Sequence, residues 1–153
     1  MLIDPSAKKV ILCIDDDPSI LMYETALFER QGYAVLSAAS GQEGLWRVAT
    51  SHCDAVVLYY EMPWINGYDV AFELKLRRPD LVIVLLSASD VPTRALALVD
   101  AVVLKLEASR QLLPMVAELC SRSLDTKTQT RRRLAHRSVS KGSPGPPRLC
   151  SFG

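Results

Sequence analysis

Three consecutive acids, Asp15-Asp16-Asp17, follow the apolar run Val10 to Ile14; Tyr60 and Glu61 follow a second run that ends in Tyr59, Ser87 follows a third and Lys105 a fourth. Clustered carboxylates with backbone carbonyls suit a hard cation such as Mg²⁺, whereas a hydroxyl and an ammonium suit the oxygens of a phosphoryl group. Plainer readings exist for each piece, since Asp17-Pro18-Ser19 is also a helix cap and acids at strand ends can simply be solvated. For Asp17 the cap is preferred; for Asp15, Asp16 and Lys105 taken together, chemistry is preferred. A hydrolase is not supported, because no histidine is placed by any motif to activate Ser87. His52 and His136 stand alone, and Cys13, Cys53, Cys120 and Cys150 lack the spacing of a zinc site or a disulfide framework, so reduced thiols are expected.

Those residues acquire a common location once the elements are read. Five apolar runs rich in β-branched residues, Val10 to Ile14, Tyr33 to Ala38, Ala55 to Tyr59, Leu81 to Leu86 and Ala101 to Leu104, alternate with helical patterns. The first helix is expected from Pro18 to about Gln31, stopping at Gly32. Ser40-Gly41-Gln42-Glu43 is a capping box opening a second helix to about Ser51. A third spans about Tyr68 to Arg77, ending before Pro79. Pro92 leaves room for barely two turns, and the last helix starts near Ser109, with Pro114 close to its start. Such β-α alternation with near-continuous apolar strands gives a doubly wound parallel sheet, in which ligands bind beyond the carboxyl ends of the strands. Asp15, Asp16, Tyr59, Glu61, Ser87 and Lys105 all fall on that edge.

Length and apolar content, 153 residues and 49% hydrophobic, suit one ordinary globular core. No run approaches the roughly 20 apolar residues of a membrane span, and the first ten residues lack a secretory h-region, so a cytoplasmic location is expected. Charge divides abruptly: residues 1–123 hold 11 Lys and Arg against 16 Asp and Glu, whereas residues 124–153 hold 7 against 1. With Arg131-Arg132-Arg133, Ser138 to Ser143 and Pro144-Gly145-Pro146-Pro147, the latter segment is expected to be a disordered basic tail following a domain of residues 1–123. Its Lys127, Arg131, Arg132, Arg133, Arg137, Lys141 and Arg148 could neutralise nucleic-acid phosphates, but without interleaved aromatics a solvated end is preferred.

The string Val10-Ile11-Leu12-Cys13-Ile14-Asp15-Asp16-Asp17-Pro18-Ser19-Ile20, the later Tyr60-Glu61-Met62-Pro63-Trp64-Ile65-Asn66-Gly67, then Leu86-Ser87-Ala88 and Leu104-Lys105, resemble the receiver domain of bacterial two-component response regulators. The likeness covers about residues 8–122. It implies a flavodoxin-like five-stranded sheet of order 2-1-3-4-5 and a role in phosphorelay signalling. In that family an acidic pair holds Mg²⁺, an aspartate at the end of strand 3 accepts a phosphoryl group from a sensor histidine kinase, and a Ser or Thr and a Lys stabilise it. Carried across, Asp15 and Asp16 match the metal acids, Glu61 the position whose backbone carbonyl binds the metal, Ser87 the switch hydroxyl and Lys105 the site lysine.

One position departs. The phosphoacceptor, three residues before the methionine of the Met-Pro pair, is Tyr59. A phenol is neutral at pH 7 and a poor ligand for a hard cation, so no acyl phosphate and only weak Mg²⁺ binding are expected. The Tyr59 hydroxyl is expected to bond an acid of the cluster while Lys105 pairs with another. Val102 stands at the family's switch aromatic, Lys105-Leu106 replaces its Lys-Pro step, helix 4 is short, and Trp64 occupies a loop position that is often small. The reading is a receiver-like module, not an enzyme, acting by contacts with a histidine kinase or a downstream protein. Its alternatives are a conventional receiver in which Tyr59 is a substitution, and a nonspecific nucleic-acid binder.

Overall fold

The computed structural model describes residues 7–140. Strands β1 (Val10–Ile14), β2 (Ala34–Ala38), β3 (Ala55–Tyr59), β4 (Val82–Ser87) and β5 (Ala101–Leu104) form one parallel sheet of order β2-β1-β3-β4-β5. The connecting helices are α1 (Pro18–Glu29), α2 (Gly41–Thr50), α3 (Gly67–Arg77), α4 (Thr93–Leu96) and α5 (Ala108–Ser140). This is the expected five-stranded α/β architecture, including its short fourth helix.

Strand alternation divides the buried side chains between two cores. Leu12, Ile14, Leu58 and Leu85 pack with Val48 of α2 and Val70 and Leu74 of α3. Ile11, Cys13, Val57 and Leu86 pack with Phe28 of α1 and Leu112 and Val116 of α5. Each fully buried Leu, Ile or Phe stabilises the fold by roughly 1.5–3 kcal/mol. All six residues of β4 are buried, the consequence of helices on both faces of a parallel sheet.

The helix starts follow local chemistry. Asp17 caps α1 by accepting from the Ser19 amide at 2.9 Å, ahead of Pro18 at the first helical position. Ser40 accepts from the Glu43 amide at 3.1 Å, while Glu43 reaches back to the Ala39 amide, one residue before the cap, at 2.9 Å. Asn66 caps α3 through the Asp69 amide at 3.0 Å. Gly67 is required there: a Cβ would stand 2.7 Å from Tyr60 Cα and 3.0 Å from the Tyr59 carbonyl oxygen. Its amide also donates to the Tyr60 carbonyl at 2.9 Å, which ties the start of α3 to the end of β3.

Residues 124–140 differ from the expected disordered tail, because α5 continues to Ser140. From Leu124 to Ser140 the chain holds no Gly or Pro, and its four Arg and two Leu, with single Lys, Gln and Ala, are good helix formers even without an apolar face. Two compact units divide between Cys120 and Ser121. Residues 141–153, with Lys141, Arg148, Cys150 and the Pro-Gly stretch, lie outside the described residues.

Candidate functional site

The carboxyl ends of β1, β3, β4 and β5 bring the selected residues to one edge. Asp15 is fully buried; its Oδ1 accepts from the Asp17 amide at 2.9 Å and its Oδ2 has no partner. Burial raises its carboxyl above the ordinary value, against the opposing Asp17 hydrogen bond and the Lys105 charge. Asp16 beside it is exposed. Among the described residues, no three carboxylate, histidine or cysteine side chains converge as a metal centre. Asp15, Asp16 and the Glu61 carbonyl are oxygen donors of the kind Mg²⁺ takes, but they include only two anions.

Tyr59 ends β3, in register with Leu86 of β4. The Lys105 ammonium lies over its ring, 4.1 Å from the centroid, a cation–π contact worth about 0.5–2 kcal/mol depending on desolvation. The expected phenol-to-acid hydrogen bond is not formed among the described residues, nor does Lys105 pair with an acid there. The ring beneath the lysine presents its electron-rich face to the ammonium, whose charge also acts on Asp15 and Glu24.

The acid network forms elsewhere. Glu61 Oε1 accepts from Ser87 Oγ at 2.7 Å and Ser89 Oγ at 3.0 Å, and the Ala88 amide lies 3.2 Å from both carboxylate oxygens. Ser87 Oγ also approaches the Ser89 carbonyl at 2.6 Å; its single proton serves one acceptor at a time, and the charged one gives the stronger bond. Partial burial opposes charge on Glu61, but Ser87, Ala88 and Ser89 together hold its carboxyl below the ordinary value. The sequence pointed to Glu61 for its backbone carbonyl only. Its side chain and Ser89 were missed, because a contact across 26–28 residues leaves no periodic trace.

Glu24 of α1 was also missed. It is 2% exposed, one carboxylate oxygen has no partner, and its pKa is raised to about 8. Burial is the main cause, followed by the nearby Asp15 charge, while the Cys13 thiol and Lys105 oppose the shift. Burial likewise pushes the Cys13 thiol up. Ile20, Tyr23, Glu24, Leu86, Lys105 and Leu112 help to line a cavity of about 270 Å³ between α1 and α5. The spacing Ile20, Glu24, Phe28 could have revealed an acid on an apolar stripe. The remaining departure is Trp64, fully exposed with φ 71° in the left-handed region, where a non-glycine residue is strained.

Residues 11–116 match the family described as response regulator receiver domain. The chain belongs to that family. Among curated relatives, the alkaline phosphatase synthesis transcriptional regulatory protein PhoP of Bacillus subtilis is 34% identical over 82 residues, 54% of this chain and 34% of that protein. The response regulator SaeR of Staphylococcus aureus is 33% identical over 78 residues, 51% of this chain and 34% of its own. The receiver therefore spans about a third of the length of these relatives. The Thermotoga maritima response regulator TrrA, solved in complex with Mg(2+)-BeF, superposes with TM-score 0.69 and 31% identity over 72% of this chain and 98% of its own. A receiver domain protein from Methanospirillum hungatei superposes with TM-score 0.74 over 78% of this chain and 99% of its own; at 23% identity it supports the fold alone. No helix among the described residues is long and apolar enough to cross a membrane.

Proposed function

We propose that this receiver no longer takes a phosphoryl group at the usual position and acts, without enzymatic activity of its own, through protein contacts. Tyr59 carries the reading. It ends β3 three residues before Met62, where the family places its acceptor aspartate, and its ring lies under the Lys105 ammonium at 4.1 Å. A neutral phenol provides neither the nucleophile for an acyl phosphate nor a third anion for a cation. Asp15, Asp16 and the Glu61 carbonyl would hold Mg²⁺ weakly, and a bound cation would supply charge neutralisation for phosphoryl oxygens. Ser87 and Lys105 stay as the hydroxyl and ammonium of that pocket. TrrA has been solved with the histidine kinase ThkA, which supports a sensor kinase, or a downstream signalling protein, as the class of partner.

Intact-mass measurement after incubation with Mg²⁺ and acetyl phosphate tests the proposal. The expected result is no phosphoryl adduct on the unaltered chain. Tyr59→Asp should strengthen Mg²⁺ binding, and an adduct at residue 59 in that variant would report that the Ser87 and Lys105 pocket remains competent. A phosphoryl adduct on the unaltered chain, mapped to Tyr59 or an acid of this cluster, would return it to conventional or unusual phosphorelay chemistry.

A further inference from the structure

Glu61 lies in the loop between β3 and α3, yet its side chain spends its hydrogen bonds on the loop that follows β4. Its donors come from three consecutive residues: Ser87 Oγ at 2.7 Å, the Ala88 amide at 3.2 Å from each oxygen, and Ser89 Oγ at 3.0 Å. Ser87 is fully buried, so its hydroxyl must find an acceptor within the protein. A solvated surface carboxylate would not fix three residues of a loop 26–28 positions away in sequence, because ordering them costs backbone entropy. One amide and two hydroxyls converging on a single carboxylate form an oxyanion cradle, and Lys105, drawn onto the Tyr59 ring, takes no part in it.

We infer that the Glu61 carboxylate is the resident anion of the Ser87, Ala88 and Ser89 cradle, holding the loop after β4 in its anion-bound arrangement without any phosphoryl group. The inference rests on the reading above in one respect, that Ser87 is the hydroxyl a phosphoryl oxygen would otherwise engage. It has two consequences. The Ala88 amide is protected by a side chain from another loop, and a free oxyanion finds the cradle filled.

Amide hydrogen exchange followed by NMR on the full chain tests both. In Glu61→Ala, exchange at Ala88 should quicken by roughly tenfold or more, the effect of losing a hydrogen bond to a charged acceptor, while the β4 amides of Ile83 to Leu86 keep their protection. Inorganic phosphate should then shift the Ala88 and Ser89 resonances saturably in Glu61→Ala and leave them unmoved in the unaltered chain. Glu61→Gln, which keeps the shape and an acceptor but loses the charge, should give intermediate Ala88 exchange. Unchanged Ala88 exchange in Glu61→Ala, or equal phosphate shifts in the unaltered chain, would overturn the inference. The two claims fail separately: a phosphoryl adduct on the unaltered chain removes the Tyr59 reading and leaves the Ala88 measurement to stand or fall by itself.

Discussion

Glu24 places a carboxyl where the α1 stripe otherwise supplies apolar side chains, and the fold answers by favouring its protonated form. Its pKa rises from 4.5 to about 8 on folding, so between those values the folded chain holds a proton that the unfolded chain has released. Stability therefore falls as pH rises through that window, is free of this penalty below about 4.5 and carries it fully above about 8. The groups facing Glu24 are Asp15, Cys13 and Lys105, and Asp15, also raised by burial, contributes a slope of the same sign. Urea denaturation at pH 5 and pH 8.5 should show Glu24→Leu gaining stability at the higher pH, on the order of several kcal/mol, with little gain at the lower. An equal gain at both would assign the effect to packing. At this scale the sequence was partly legible. Asp17 as a cap follows from the Asp-Pro-Ser string alone, whereas the roles of Glu61 and Glu24 depend on which loop or cavity the fold sets against them.

Strands and caps were the most legible elements, because they rest on local chemistry: β3 and β5 end where their apolar runs end, and Asp17, Ser40 and Asn66 each accept an amide two or three residues on. Helix ends governed by weak propensity were less so. Pro114 neither delays nor stops α5, which begins at Ala108 and carries the proline at its seventh residue. Lacking an N–H, Pro114 cannot bond the Arg110 carbonyl one turn back, and its exposed ring gains no burial in return. Pro114→Ala should stabilise the chain by about 2 kcal/mol, the ~3 kcal/mol cost of an interior proline less the unfolded-state entropy that alanine restores. A lower midpoint in chemical denaturation would show that the proline fits the helix without cost.

Over the whole molecule, the acidic α/β unit and the basic segment beyond it make different demands. We propose that a chain ending at residue 123 melts like the full one, since among the described residues the two hydrophobic cores reach no further than Cys120. A large loss of cooperative stability on truncation, measured by calorimetry, would place the boundary later. A separate liability lies at the far edge of the sheet. β5 has four residues, of which only Val103 is fully buried, and the four-residue α4 before it can anchor little. It alone covers one side of β4, Val-Ile-Val-Leu-Leu-Ser, a strand with no charge and no proline. If β5 detaches under mild stress, β4 is left as an open template for strand addition from another molecule, the opening step of self-association into cross-β material. Concentration-dependent light scattering is therefore expected in urea just below the unfolding midpoint, and solutions that stay clear at high concentration through the transition would show that this edge is held more firmly than its length suggests.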